Sequence, residues 1–197
     1  MSIKHVALVG AHGVGKTTLI NSLRAHYIEE GLISIHTTPE IPREICERAG
    51  DPEFFRRGVN EPLRQALILF GQATEDRTVI SKSEGLLISD RSVIDHWAYT
   101  TCLFEAEFKA ASVFEHFEKM VVDYSKCYDA LFYIGIEFPP RDDGTRESDA
   151  DFQLDIDRRI RATLKRSAFS YTTLKGSVEE RRDAFISGLD NESRVNK

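Results

Sequence analysis

A glycine-rich segment near the N-terminus carries a lysine followed by a threonine. Its residues from Gly10 to Thr17, GAHGVGKT, fit the pattern G-x-x-x-x-G-K-[ST] at every fixed position. The glycines allow backbone N–H groups to close around a phosphate without a Cβ in the way. The Lys16 ammonium can bind the β- and γ-phosphates, and the Thr17 hydroxyl can ligate Mg²⁺. The segment therefore predicts a site for a nucleoside triphosphate and Mg²⁺.

The segments on either side of this loop support that interpretation. An apolar run, Ile3 to Val9, predicts a buried strand, and apolar residues at helical spacing predict a helix over Val14 to Glu29. A helix that starts at the loop directs its positive end at a bound anion. The alternative is a glycine-rich turn with a solvent-exposed lysine. The predicted nucleotide-binding residues of the loop are Gly10, Gly13, Val14, Gly15, Lys16, Thr17 and Thr18.

Asp90 and Arg91 follow the third predicted strand, Gly85 to Ser89. A motor ATPase carries Asp-Glu at this place and a GTPase switch carries an Asn-Lys-x-Asp motif, and the sequence has neither. An arginine cannot act as a base, but it can hold an anionic acceptor or neutralise a transferring phosphoryl group. Ligands of open α/β sheets bind at the carboxyl ends of strands, so Asp90 is assigned to Mg²⁺ or to the acceptor hydroxyl as base. The alternatives are a helix cap for Asp90 and a surface ion pair for Arg91.

Strand-like and helix-like segments alternate along the whole chain. Further strands are predicted at Leu32 to Thr37, Asp129 to Ile136 and Phe169 to Leu174. This alternation predicts an α/β fold in which a five-stranded parallel sheet has helices on both faces. We expect one domain over residues 1–189, followed by a polar tail over residues 190–197.

Composition excludes several classes of protein. The 197 residues include 26 Lys and Arg against 32 Asp and Glu, a net charge of −6, and no basic stretch has interleaved aromatic residues. Binding to nucleic acid is therefore not expected. Every apolar stretch is far shorter than the roughly 20 residues that span a bilayer, so no membrane segment is expected. Three cysteines without a Cys-x-x-Cys pair indicate a reducing compartment, and we expect a cytoplasmic protein without a zinc site.

Three further segments carry a resemblance to known proteins. They are Asp90-Arg91-Ser92, the Pro39 to Glu44 run PEIPRE, and the Asp143 to Arg146 run DGTR. Together with the phosphate loop, they resemble the nucleoside and nucleotide kinases and, more closely, the AAA-type ATPase family related to ribosylnicotinamide kinase. The resemblance covers nearly the whole chain. It implies a P-loop NTPase fold with the strand order 2-3-1-4-5.

The same resemblance suggests roles for residues after the second strand and before the last helix. Glu40 matches the carboxylate that accepts the acceptor proton in nucleoside kinases, and Arg43 could bind an acceptor anion. Structural roles explain these two residues equally well. Glu40 would interact favourably with a helix dipole, and Arg43 would lie on a solvated helix face. Gly176 and Ser177 resemble the segment that packs on adenine, although a turn followed by a helix cap accounts for both.

A loop with two arginines follows the fourth predicted strand. Arg141 and Arg146 lie in the segment PPRDDGTR, where Gly144 supplies the freedom of a hinge. We expect a lid at about residues 137–166 that closes these arginines over the triphosphate and excludes water. The helix after it carries further arginines, but its order of acidic then basic residues also suits the helix dipole.

Several aromatic side chains and one histidine allow two interpretations. Trp97, Tyr99 and Phe104 could line an acceptor pocket, but aromatic residues at helical spacing more often belong to a core. His12 is expected to contribute backbone to the loop, with its side chain facing solvent or the lid.

The sequence thus predicts a kinase that transfers the γ-phosphoryl group of ATP, bound with Mg²⁺, to a small acceptor. The acceptor is expected to be a nucleoside, a nucleotide or nicotinamide riboside. A nucleotide-dependent regulatory ATPase with a protein partner, and a module that binds ATP without turnover, are the alternatives. A homodimer is also possible on the sequence alone.

Overall fold

The computed structural model describes residues 3–31, 34–38, 41, 45, 61–110, 112–137, 150–167 and 169–195. Five strands form one sheet in the order β2-β3-β1-β4-β5, and all its pairings are parallel. The predicted fold class and strand order are therefore confirmed. The strands are β1 (Lys4–Val9), β2 (Ile35–Thr38), β3 (Leu86–Asp90), β4 (Ala130–Ile134) and β5 (Thr172–Leu174).

Six helices whose two ends both lie in the described ranges connect or follow these strands. They are α1 (Lys16–Glu30), α2 (Glu61–Lys82), α3 (Val93–Ala110), α4 (Phe114–Ser125), α5 (Ala150–Ser167) and α6 (Val178–Val195). None of them combines the length and the apolar composition that crossing a membrane would require.

Neighbouring residues of β4 show that helices cover both faces of the sheet. Phe132 packs on Phe185 of α6, with ring centroids 4.2 Å apart. The next side chain, Tyr133, donates a hydrogen bond of 2.5 Å to Asp157 of α5. Successive side chains of a strand point to opposite faces, so α6 and α5 lie on opposite sides of the sheet. Helix α1 packs beside α6, and α2, α3 and α4 lie on the side of α5.

The central strands are continuously apolar because both faces of the sheet are covered. Val6 to Val9 of β1 have no solvent exposure, and Leu86 to Ile88 of β3 are equally buried. On α5, Ile156, Ile160 and Leu164 are fully buried, as their helical spacing predicts. This packing fixes the ends of β1 and β3, from which the functional loops emerge.

Two features of the helices differ from the sequence-based expectation. The sequence predicts one helix between Ser92 and the fourth strand, whereas the chain forms two helices there, with a turn at Ser112, where φ is +55°. The last helix continues to Val195 rather than ending at Leu189, because no proline or glycine follows Leu189 to stop it.

Candidate active site

The loop between β1 and α1 has the backbone geometry that its glycines were expected to supply. A Cβ on Gly10 would collide with the carbonyl oxygen of Ile134 in the neighbouring strand. Gly15 immediately precedes α1 and has φ of +93°, in the left-handed region that disfavours other residues. Gly13 and Thr18 are exposed, whereas the side chain of Val14 is buried and leaves its backbone to the site. The loop therefore has the shape required for phosphate binding.

Lys16 is held inside this loop by carbonyl groups and a buried carboxylate. Its Nζ donates hydrogen bonds to the carbonyl oxygens of Gly10, at 2.5 Å, and Ala11, at 2.8 Å. The same Nζ lies 3.9 Å from Oδ1 of Asp95, and Lys16 is only 7% exposed. A charge that is nearly buried needs such compensation. The ammonium is thus already positioned beside the backbone that would surround a phosphate.

Asp95 connects the phosphate loop to the start of α3. Its Oδ1 accepts the N–H of Gly10 at 2.8 Å, and its Oδ2 accepts both the N–H and the hydroxyl of Ser92, at 2.8 and 2.7 Å. Ser92 Oγ in turn accepts the N–H of Asp95 at 3.3 Å, which completes the capping box that the spacing of these two residues predicts. The sequence around Asp95 indicates only this capping role. Its contact with the loop joins residues far apart in the chain, which local spacing does not reveal.

Thr17 and Asp90 meet at the open edge of the sheet. The Thr17 hydroxyl donates a hydrogen bond of 2.8 Å to Oδ2 of Asp90, the last residue of β3. Both side chains are polar oxygen donors of the hard type that Mg²⁺ prefers. Mg²⁺ is usually held by one or two protein ligands plus phosphate oxygens, so this pair fits the ion. Among the described residues, no cluster of three or more His, Cys, Asp or Glu residues could hold another metal.

Arg91 has an unusual backbone conformation next to this pair. Its φ is +105°, a conformation that a non-glycine residue adopts only at a cost in energy. The guanidinium carbon lies 5.3 Å from the centre of the Tyr99 ring, within the range of a cation–π contact. Burial raises the pKa of Tyr99, so its phenol stays protonated and neutral. The strained backbone and the ring together fix Arg91 beside Asp90.

Helices α3 and α5 support the phosphate loop from the other side. The Tyr99 hydroxyl lies 3.1 Å from the backbone nitrogen of His12 and 2.9 Å from its Nδ1. Gln153 of α5 donates a hydrogen bond of 2.7 Å to the carbonyl oxygen of His12. His12 is 7% exposed and packs against Phe152, which belongs to the segment predicted as the lid, so of its two expected surroundings, solvent or the lid, the structure shows the second. Aromatic packing with α5 removes it from water.

Trp97 and Phe104 belong to the hydrophobic core. Trp97 is 1% exposed and packs on Phe108 and Phe114, and Phe104 is 7% exposed. Tyr99 is half-buried and is the member of this aromatic group that reaches the site. Of the three aromatic residues considered for an acceptor pocket, Trp97 and Phe104 therefore have the structural role that was the alternative.

The turn before α6 also reaches the phosphate loop. Gly176 has φ of +87°, and Ser177 and Glu180 form a capping box with hydrogen bonds of 2.7 and 3.2 Å. Arg181, one residue further, donates a hydrogen bond of 2.7 Å from Nη1 to the carbonyl oxygen of Val14. Its Nη2 lies 3.1 Å from a carboxylate oxygen of Glu137. Sequence reasoning did not single out this pair of charged residues.

Four predicted site residues lie outside the described part of the chain. They are Glu40, Arg43, Arg141 and Arg146. Their roles, and the closing of a lid over residues 137–166, therefore stay predictions.

The sheet order, the loop between β1 and α1 and the Thr17–Asp90 contact define a P-loop protein with a nucleotide kinase-like fold. The profile of the AAA domain family matches residues 5–181, and the chain belongs to that family. No curated protein matches the sequence.

Two solved structures show the same fold. NadR protein, crystallised in complex with NR, aligns with a TM-score of 0.66 and 17% sequence identity over 94% of this chain. The present chain spans 50% of that NadR chain. Thymidylate kinase from Ehrlichia chaffeensis aligns with a TM-score of 0.62 and 16% identity, over 96% of this chain and 100% of its own.

Proposed function

We propose that this protein is a kinase that transfers the γ-phosphoryl group of ATP to a small acceptor. The contact between Thr17 and Asp90, 2.8 Å long and beside the enclosed Lys16, is the observation that carries the proposal. It brings a hydroxyl and a carboxylate to the place where a magnesium–triphosphate complex would bind above the loop. Arg91 then occupies the position at which a hydrolysing motor ATPase needs a glutamate.

Each residue has a task that suits its chemistry. Lys16 and Arg91 neutralise the charge that develops on the transferring phosphoryl group, with Arg146 joining them from the lid. Thr17 and Asp90 would hold Mg²⁺, which would reduce the negative charge of the triphosphate. Asp90 or Glu40 accepts the proton of the attacking hydroxyl. Phosphoryl transfer leaves little covalent chemistry to the protein, so the placement of these side chains around the reacting groups accounts for most of the catalysis.

The acceptor is proposed to be a nucleoside, a nucleotide or nicotinamide riboside. The fold shared with NadR, crystallised with NR, and with a thymidylate kinase supports this class. Arg91 contacts the Tyr99 ring, and together they place a cation and an aromatic ring beside Asp90. Such a pair suits an acceptor that combines a ring with an anionic or hydroxylated group.

ADP formation from Mg·ATP tests the proposal, with and without nucleosides, nucleoside monophosphates and nicotinamide riboside, and with products identified by mass. We expect one acceptor to raise the rate and to appear as its phosphate. Lys16→Ala should remove turnover and keep the fold, because the loop loses the cation that binds the β- and γ-phosphates. Lys119→Ala, which removes a lysine from the exposed surface of α4, is the matched control. An unchanged rate in Lys16→Ala would contradict the mechanism.

Membership of the AAA domain family favours a second candidate, a regulatory ATPase that acts with a protein partner. This protein would hydrolyse ATP slowly, at a rate that no small acceptor changes. The same acceptor panel separates the two candidates, since only the kinase forms a phosphorylated product. Stimulation by an added protein partner would then support the ATPase.

A further inference from the structure

Arg181 is an arginine that the protein buries behind its phosphate loop. It lies in the first turns of α6 and is 4% exposed. Nη1 donates to the carbonyl oxygen of Val14 at 2.7 Å, whereas Nε is buried without a hydrogen bond and Nη2 has an ion-pair contact with Glu137 but no hydrogen bond. Burying a guanidinium with incomplete hydrogen bonding is costly. A smaller apolar side chain would cost less free energy to bury at this position. The arginine is therefore expected to have a role that requires its guanidinium group.

The contact with Val14 fixes the direction of a neighbouring N–H group. The carbonyl of Val14 and the N–H of Gly15 belong to one planar peptide unit. None of the described peptide bonds is cis, so these two groups point in opposite directions. The hydrogen bond from Arg181 holds the carbonyl on the side of α6, and the Gly15 N–H is thereby directed away from α6. In a phosphate loop, backbone N–H groups of this kind bind the β-phosphate.

Gly15 leaves the room that this contact needs. A Cβ on Gly15 would lie 3.3 Å from Nη1 of Arg181, a tight contact that would push the guanidinium back by a few tenths of an ångström. The φ of +93° requires the glycine of the sequence motif, and the same residue leaves room for the approach of the arginine.

Glu137 contacts the other terminal nitrogen of Arg181, Nη2. Its carboxylate lies 3.1 Å from Nη2 of Arg181 and accepts the N–H of Gly176 at 3.1 Å. Glu137 comes three residues after β4, at the first position of the predicted lid. One carboxylate thus links the arginine behind the loop, the turn before α6 and the chain that leaves the sheet toward the lid.

We propose that Arg181 is a positioning residue, supported by Glu137, that holds the Val14–Gly15 peptide so that the Gly15 N–H binds the β-phosphate of the nucleotide. This inference rests on the proposed nucleotide binding. It does not depend on which acceptor is phosphorylated. In this role Arg181 acts through the peptide it holds and needs no contact of its own with the nucleotide or the acceptor.

The test compares ADP, which has a β-phosphate, with AMP, which lacks it. ADP is titrated by calorimetry, and AMP is measured by its displacement of ADP, so that only binding at the same site counts. We expect Arg181→Met to weaken ADP binding about tenfold or more and AMP binding less than about twofold, because a charge-assisted hydrogen bond behind the β-phosphate site is lost. Arg181→Lys keeps a donor and a charge, and should restore part of the affinity for ADP.

Two further variants complete the design. Arg182→Met, on the next residue of the same helix, is the matched control, since Arg182 pairs only locally with Asp183 in the described structure. Glu137→Gln keeps an acceptor for the Gly176 N–H but loses the charge beside Arg181, and should weaken ADP binding selectively and less strongly. Thermal unfolding of each variant shows whether it folds. If Arg181→Met does not fold, Arg181→Lys and Glu137→Gln carry the test through their ratio of ADP to AMP affinity.

The outcomes separate this inference from the proposed function. Equal losses of ADP and AMP affinity would mean that Arg181 only stabilises the fold, and would overturn the inference. Wild-type affinity for ADP in the variants of Arg181 would overturn it as well. A wild-type protein that binds neither nucleotide would overturn the proposed function and this inference with it. A wild-type protein that binds ADP but phosphorylates no acceptor would leave only the kinase proposal contradicted.

Discussion

Asp90 and Asp76 lie on either side of strand β3 and show two different uses of a carboxylate. Asp90 ends the strand and accepts the hydroxyl of Thr17 at 2.8 Å, in a contact exposed to solvent. Ser89, one residue earlier, points to the opposite face and donates at 2.8 Å to Asp76, which has no solvent exposure. The alternation of side chains along one strand thus separates an open polar site from a sealed one.

The sealed site, defined here as Asp76 with Ser89, Gln72, His5 and Tyr124, is a network in which every member except the half-buried Tyr124 is buried. Asp76 accepts hydrogen bonds from Ser89 and Gln72, at 2.8 and 2.9 Å, and Tyr124 lies 3.4 Å away. Burial raises the pKa of Asp76 to about 6 and lowers that of His5 to about 4. Such a network stabilises the fold only while each of its buried polar groups keeps its hydrogen bonds.

This comparison limits how pKa shifts can be used to find function here. Shifted pKa values often cluster at active sites, but structural networks shift them too. In this protein, burial produces the large shifts of Asp76 and His5 in the sealed site. The open site is recognised instead by the placement of a hydroxyl, a carboxylate and an ammonium around a glycine loop. Geometry is therefore the better guide to its function.

The largest expected effect is on the open site. Asp90→Asn keeps an oxygen that can accept the Thr17 hydroxyl, so the fold should be preserved, but it removes the charge that favours Mg²⁺ or takes the proton. We expect turnover to fall about 100-fold or more, with a free energy of unfolding changed by less than about 0.5 kcal/mol. Steady-state ADP formation and urea unfolding measure the two quantities.

Asp123→Asn is the control for this prediction, because Asp123 lies on the exposed surface of α4, paired with Lys126 at 2.7 Å. It should change neither turnover nor stability appreciably. If Asp90→Asn retained the wild-type rate, Asp90 would be a capping or structural residue, and the distinction between the two carboxylates would fail.

The next effect, on stability, belongs to the sealed site. Asp76→Ala leaves the buried donors of Ser89 and Gln72 without an acceptor, and should lower the free energy of unfolding by about 3 kcal/mol. Asp76→Asn keeps one acceptor oxygen and should cost clearly less. Urea unfolding gives both values, and ADP titration should show unchanged nucleotide affinity in each variant. A loss of affinity in folded Asp76→Asn would mean that the two sites are coupled across β3.

Local sequence features predicted much of the fold because its elements depend on local periodicity. The apolar spacing of Ile156, Ile160 and Leu164 identified the buried face of α5, which the structure confirms. The strand order came from the resemblance to kinases, since periodicity does not say which strands are neighbours. The separation of α3 from α4 was missed because Ser112 turns the chain with φ of +55° where no glycine or proline marks it.

The site was predicted where one segment carries the chemistry, and missed where distant segments meet. Lys16 and Thr17 follow from the motif, and Asp90 from its place after a strand. The contacts of Asp95 with Gly10 and of Arg181 with Val14 join residues 85 and 167 positions apart, respectively. Nothing in their local sequence distinguishes an aspartate that caps a helix from one that also holds the phosphate loop. The fold alone brings them together.

The smallest effect concerns the pH dependence of stability, to which two buried histidines contribute, His5 in the sealed site and His96 beside it. Burial lowers the pKa of His96 to about 3 and that of His5 to about 4, against about 6.5 in the unfolded chain. As the pH falls below 6.5, the unfolded chain binds protons that these folded histidines do not accept. Their contribution to stability is therefore present at pH 7 and is lost as the pH falls toward 4. Asp76 acts in the opposite direction, because its raised pKa favours the folded state below pH 6.

His96→Gln tests this balance, since a glutamine amide can still donate to Gln72, which His96 approaches at 3.3 Å. We expect the wild-type protein to lose stability from pH 7 to pH 5, and the variant to lose about 1 to 2 kcal/mol less over the same interval. His116→Gln, at an exposed position of α4, should retain the wild-type dependence. Urea unfolding at both pH values gives the comparison. The same change in the free energy of unfolding between pH 7 and pH 5 in wild type and His96→Gln would show that His96 takes up its proton without unfolding. The surroundings of His96 would then be more open to water than those of Asp76.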